Sequence, residues 1–163
     1  MALREFREDE VDDLVTIFAD PAILAWNTGP STREQVVEWM RHRNDRLSPD
    51  HLSWAVEHEG RLAGSVSLFH IDRDQGDAEL GYWVAPWARR RGVGTAALAA
   101  ASAVGFTTLV LRRLFLFHAV ENLASCGVAS AAGFLVEGTL RESHRYGDGR
   151  HHDEHLHGRL ATD

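Results

Sequence analysis

The chain has 163 residues, and its 17 basic residues against 24 acidic ones leave a formal charge of −7. Every one of the 17 is arginine, which excludes chemistry that needs a lysine amine, such as a Schiff base or a P-loop lysine. With 44% hydrophobic and 25% charged residues the composition is that of one globular domain able to bury a core, and the acidic total argues against wholesale nucleic-acid binding.

Residues 3 to 6 read as a first strand, and Val11, Leu14, Val15 and Phe18 follow at helical spacing behind Glu8, Asp9 and Glu10. Pro21 is expected to end that helix, leaving Ala25 to Pro30 as a loop that carries Trp26. Ser31 with Glu34 and Thr32 with Gln35 form two overlapping capping boxes, so a second helix is expected from Thr32 to about Arg46. The period then changes to two, which predicts strands over Leu52 to Glu57, Leu62 to Ile71 and Ala78 to Val84.

Gly92 to Leu111 has no charge and is long enough to span a membrane, but Ala, Gly, Ser and Thr dominate its first two-thirds. A buried helix from Val93 to about Thr108 is the better reading. A strand at Arg113 to His118, a small-residue helix at Asn122 to Ala132, and strands at Phe134 to Glu142 and His151 to Leu160 around a Gly147-Asp148-Gly149 turn complete one α+β domain, residues 1 to 163. The start of the chain lacks the basic and apolar regions of a signal peptide, and Cys126, the one cysteine, forms no internal disulfide; both point to a cytoplasmic protein.

The segment richest in chemistry is Val84-Ala85-Pro86-Trp87-Ala88-Arg89-Arg90-Arg91-Gly92-Val93-Gly94-Thr95, a strand end that turns through arginines and glycines into a helix. Unpaired amides of the first helical turn, the helix dipole and flanking guanidinium groups together make an anion site. A Rossmann site fits less well, since Ala97 stands near where its third glycine belongs and no βαβ unit opens the chain. RNA binding through Arg89 to Arg91 lacks a broad basic face and stacking aromatics.

Arg89-x-x-Gly92-x-Gly94 after Val84-Ala-Pro resembles the acetyl-CoA pyrophosphate motif of the GNAT acetyltransferase superfamily. Glu79-Leu-Gly-Tyr-Trp-Val-Ala-Pro, Asn122-x-x-Ser125, Gly133-Phe134 and Glu137-Gly138-Thr-Leu140-Arg141 are similar to the branch that contains the RimJ and RimL ribosomal-protein N-acetyltransferases. The resemblance implies a mixed, mostly antiparallel, splayed sheet flanked by helices. It implies acetyl-CoA as acyl donor, with its pantetheine arm on the backbone of Trp83, Val84 and Ala85. The pyrophosphate is expected on Arg89, Arg90, Arg91, Gly92, Val93, Gly94 and Thr95, with Asn122 reaching the donor from the next helix.

The activity implied is direct transfer of an acetyl group to a primary amine, either a protein N-terminal α-amine or a small molecule, and relatives of this kind are often homodimers. Ser125 is the expected acid at the departing sulfur. Glu79 and His144 are alternative bases, a strand carboxylate paired with an arginine being the plainer account of Glu79. The rival of another class is an inactive CoA-binding sensor.

Three further features have plainer readings. Along a strand His151, Asp153, His155 and His157 share a face, but the segment is not His-Glu-x-x-His and no Cys joins it, so no metal is expected. Cys126 reads as a small helix residue rather than a nucleophile. Trp26 is a candidate wall of the acceptor pocket.

Overall fold

A seven-stranded sheet in the order β1-β2-β3-β4-β5-β7-β6 runs through the molecule, and the computed structural model describes all 163 residues around it. The strands are β1 (Ala2–Arg4), β2 (Leu52–His58), β3 (Arg61–Asp72), β4 (Asp77–Val84), β5 (Arg113–Ala119), β6 (Leu135–Arg145) and β7 (His151–Leu160). All pairings are antiparallel except β4 with β5, which is parallel.

That parallel pairing lasts only from Asp77–Arg113 to Glu79–Phe115. Beyond Glu79 the two strands part, so Leu80 to Val84 border an opening on the β5 side, which is the splay expected.

The helices are α1 (Val11–Phe18), α2 (Pro21–Trp26), α3 (Arg33–Arg43), α4 (Val93–Ala103) and α5 (Leu123–Ala131). Alternation along β4 divides the core in two. Leu80 joins Val66, Leu68, Leu98, Leu114 and Phe134 on the face covered by α4 and α5. Trp83 points the other way, joining Phe6, Leu14, Phe18 and Val36 beneath α1 and α3. Its indole meets Phe18 edge to face at 5.4 Å, and Phe18 in turn meets Trp39 at 5.1 Å. Burying each such side chain stabilises the fold by about 1.5–3 kcal/mol, so both layers are held to the sheet independently.

Two elements differ in kind from the sequence-based expectation, while α3 stops at Arg43, short of the expected Arg46, and β6 runs on past Glu142 to Arg145. Pro21 does not stop a helix but starts α2: Asp20 caps it by accepting from the Ile23 amide at 3.1 Å, and a proline at the first helical position gives up an N–H that would be unpaired anyway. Trp26 is therefore the last residue of α2 rather than part of a loop. The expected helix to Thr108 is α-helical only to Ala103 and continues as a π-helical turn, Val104–Thr108. No helix is long and apolar enough to cross a membrane. Of the two capping boxes, the one that closes α3 pairs Thr32 with Gln35.

Candidate active site

The opening between β4 and β5 continues into a cleft of about 670 Å³ that runs between the start of α4, the first two turns of α5 and the end of α2. At one end lies the β4–α4 turn. Gly92 caps α4 with φ 75°, a left-handed conformation that glycine takes without the strain a side chain would add, and nothing lies within 4 Å of where its Cβ would be. No side chain caps this helix, so the amides of Val93, Gly94 and Thr95 have no intrahelical acceptor, and all three residues line the cleft.

Gly94 lets the start of α4 pack closely on Val84 and Val128, for a Cβ there would press on both side chains at 3.3 Å. Orphan amides, a dipole end and the open turn at Gly92 suit a pyrophosphate.

The three arginines of the turn take different roles. Arg89 lines the cleft, but its guanidinium donates to Asp20 Oδ1 at 2.6 Å, which holds the Asp20 carboxyl below the usual carboxylate range and ties the turn to the cap of α2. Arg90 also lines the cleft, with φ 62°. Arg91 lies outside the cleft lining and reaches to Glu59 Oε2 at 3.2 Å. An exposed carboxylate across the β2–β3 turn offers it a partner that the cleft does not.

Along β4, Trp83 and Val84 line the cleft, whereas Ala85 does not. The Ala85 amide donates to Ala63 O at 2.8 Å, so it is already engaged, and its carbonyl accepts from the Ala88 amide at 2.9 Å. Strand alternation instead aims the Tyr82 and Val84 backbone units at the opening.

Asn122 caps α5, accepting from the Ser125 amide at 3.1 Å, and this fixes the first turn of the helix. Ser125 lines the cleft, and its Oγ is 2.8 Å from the Tyr82 hydroxyl, with either group able to donate. Burial pushes the Tyr82 phenol up to about 12 against the lowering effect of Ser125, so it keeps its proton across the physiological range. Tyr82 had been visible only as one letter of a strand motif. Its partner is 43 residues away in sequence, and no periodicity reports such a pairing.

The two expected bases are not gathered into the cleft lining. Glu79, half-buried on β4, pairs with a histidine rather than an arginine: His70 Nδ1 lies 3.2 Å from its Oε2, brought there by a bulge in β3 where His70 adopts φ 48°. His144 is exposed on β6, its ring edge-on to Tyr146 at 4.7 Å.

A polar group lies at the α2 end of the cleft. Trp26 lines the cleft and meets Tyr146 and His152 edge to face at 5.5 and 5.7 Å. Tyr146 donates to Glu154 at 2.7 Å, and that contact together with burial raises its phenol. His152 sits between Asp148 at 2.9 Å and Glu121 at 3.3 Å, which hold its imidazole above its ordinary value. The β6–β7 turn is fastened here, because the Gly147 amide donates to Ala25 O at 3.3 Å.

Residues 1–135 match the family model described as Acetyltransferase (GNAT) domain. The chain is 34% identical over 122 residues to the putative ribosomal N-acetyltransferase YdaF of Bacillus subtilis, covering 74% of this chain and 64% of that protein. Over 87 residues, 53% of this chain and 47% of the other, it is 34% identical to spermidine N(1)-acetyltransferase of Escherichia coli K12. The chain thus spans less than two-thirds of either curated relative.

Among solved structures, Mycobacterium smegmatis RimJ in complex with CoA-disulfide superposes with a TM-score of 0.90 at 25% identity, over 98% of this chain and 81% of that one. The spermidine N-acetyltransferase of Vibrio cholerae, solved with CoA and spermine, shares the fold with a TM-score of 0.83 at 21% identity, over 99% of this chain and 95% of the other. With the splayed strands, the anion site at the Gly92 turn and the family match over residues 1–135 in agreement, the chain belongs to the GNAT acetyltransferase family.

Proposed function

We propose that the protein is an acetyl-CoA-dependent N-acetyltransferase that passes an acetyl group directly to a primary amine, a protein N-terminal α-amine or a small-molecule amine. The observation that carries this reading is one continuous cleft joining the orphan amides of Val93 to Thr95 with the Tyr82–Ser125 hydroxyl pair. The amides and Arg90 hold the pyrophosphate of the donor, and the Val84 backbone takes the pantetheine arm. Asn122 fixes the first turn of α5, so the hydroxyl pair sits where the thioester ends.

Magnitudes define the role of that pair. A thiol has a pKa of about 8.5 while the Tyr82 phenol is at about 12, so outright proton transfer to a departing thiolate is uphill by roughly 5 kcal/mol. The Tyr82–Ser125 pair therefore acts through the one O–H that their mutual bond leaves free, which donates to the sulfur as negative charge develops on it, and the proton that finally resides there comes from the nitrogen, which is positively charged once the free amine has attacked. Removing a proton from the incoming amine falls to Glu79 or His144 acting through water, given where the two stand. Trp26, Tyr146 and the carboxylates around His152 form an amine-attracting end, in keeping with the relatives whose names specify ribosomal and spermidine acceptors.

Thiol release from acetyl-CoA, measured with a panel of N-terminal peptides and polyamines, tests the reading. Turnover on at least one amine is expected. CoA binding without turnover on any amine would support the sensor alternative, and absence of CoA binding would overturn both.

A further inference from the structure

On the sheet face beneath α5, four side chains from three elements converge. His118 of β5 stands opposite His155 of β7 in the strand register, and His157 lies two residues further along β7 on the same face. Cys126 reaches them from α5; among the residues from Asn122 to Val128 it alone is not part of the cleft lining. One donor atom from each of the four lies within 4.8 Å of every other. His151 and Asp153, which share their strand face with His155 and His157, are not members of the group. Cys126, 29 positions before His155 in sequence, is.

The hydrogen inventory shows what this cluster lacks. His118 Nδ1 faces the Ala119 carbonyl at 2.8 Å, and a carbonyl only accepts, so Nδ1 carries the hydrogen and Nε2 a lone pair. His157 Nδ1 faces the Phe134 carbonyl at 3.5 Å, which favours the same tautomer. The two Nε2 lone pairs then meet at 3.0 Å, in a region where both rings are buried. Two bare lone pairs at that distance repel unless a positive species sits between them. A shared proton would serve those two nitrogens alone, but His155 Nδ1 is also buried without any partner and the Cys126 sulfur points into the same space. A metal ion satisfies all four.

We infer that His118, Cys126, His155 and His157 form a binding site for a zinc-class divalent cation. Three imidazoles and one thiolate match the soft to borderline donor set such ions select. Tetrahedral bonds of about 2.0–2.3 Å put neighbouring donors roughly 3.3–3.6 Å apart, between the 3.0 Å and the 4.8 Å seen here. Binding replaces the Cys126 S–H bond with a sulfur–metal bond and releases that proton to solvent. The Ala119 and Phe134 carbonyls serve as the outer partners that fix the tautomers of two ligands. Four protein donors leave no open position, so the ion is structural: it fastens α5 to β5 and β7 and holds Ser125, the neighbour of Cys126, in place.

The site rests on side-chain geometry alone, independent of any acceptor or donor. Its test is cobalt(II) titration of protein made without a histidine tag and stripped by a chelator. One cobalt per chain is expected, with tetrahedral d–d bands of high intensity and a thiolate-to-cobalt charge-transfer band, all bleached by zinc. Cys126→Ser should abolish the charge-transfer band, and His157→Ala should weaken binding by more than the roughly 10- to 100-fold typical of losing an outer partner. His58→Ala, outside the cluster, should leave the spectrum unchanged.

In the unmutated protein zinc should also protect Cys126 from alkylation, a measurement that needs no variant to fold. Absence of cobalt binding, weak octahedral bands alone, a charge-transfer band that survives Cys126→Ser, or alkylation indifferent to zinc would each overturn the assignment.

Discussion

Ser125 and Tyr82 share one hydrogen bond, so the two hydroxyls act as a unit, and a substitution in one disturbs what the other can do. Ser125→Ala removes a donor aimed at developing charge and should lower kcat about 100-fold while leaving CoA affinity within a few-fold. Tyr82→Phe should lower kcat in the same direction. The double variant should cost little more than Ser125→Ala alone, because the second loss falls on a bond already broken. A double-mutant cycle in steady-state kinetics measures this, and strictly additive losses would show the hydroxyls to be independent. Gly92 poses a different residue-scale problem, since its φ of 75° is costly for a β-branched residue. Gly92→Val should cost about 1–2 kcal/mol of local strain, either distorting the first turn of α4 or weakening it. CoA binding measured by calorimetry should weaken roughly tenfold, since 1.4 kcal/mol is a factor of ten. Unchanged affinity would remove the α4 amides from the pyrophosphate site.

Among the elements, the contact between α2 and the β6–β7 turn decides the shape of the acceptor end. Gly147 is needed there because a Cβ would stand 1.7 Å from Leu24 O, and backbone does not yield as a flexible side chain would. Gly147→Ala should therefore lower stability by about 1–3 kcal/mol and raise the acceptor KM, with CoA affinity unaffected, as thermal unfolding and kinetics can report. His152 bridges the same corner. Its folded pKa is raised, first by Asp148 and then by Glu121, so the stabilisation it lends is fully present below about pH 6.5 and fades as pH rises through the raised folded value. The stability difference between the unmutated protein and His152→Gln should accordingly be largest near pH 5.5 and vanish in alkaline buffer, with salt screening reducing it because both carboxylates are largely exposed. These elements also mark how far the sequence was legible. Strands β2 to β5 and β7 announce themselves by period and turn residues, and their observed bounds lie within a residue of expectation. The start of α2 was hidden because Pro21 carries two meanings, a stop after one helix and a first residue for the next, and Asp20 as cap selects the second.

For the molecule as a whole, what periodicity could not reveal was contact across long sequence separations. Arg89 with Asp20 spans 69 residues and His118 with His157 spans 39; the second pair exists because the sheet order sets β5 beside β7, the first because the β4–α4 turn lies against the cap of α2. The motif residues Gly92, Gly94, Asn122 and Ser125 were legible because their roles are local: a left-handed turn, a close approach and a helix cap. The partners of Arg91 and Ala85, Glu59 and Ala63, come from the β2–β3 hairpin and were equally out of reach of a local motif. Composition adds one constraint that no fold comparison supplies. With all 17 basic residues arginine, residues 1–163 hold no side-chain amine that an acetyl donor can modify, and guanidinium groups stay protonated and unreactive. Incubation with radiolabelled acetyl-CoA should therefore leave no stable label on internal tryptic peptides, even in the absence of acceptor. The one internal nucleophile of comparable strength is Cys126, and an acyl thioester there would be labile to hydroxylamine. If Cys126 ligates a metal, zinc-loaded protein should show no such label, whereas chelated protein could acquire it. Hydroxylamine-sensitive label that persists in the zinc-loaded form would instead make Cys126 an acyl carrier and replace direct transfer with a two-step route.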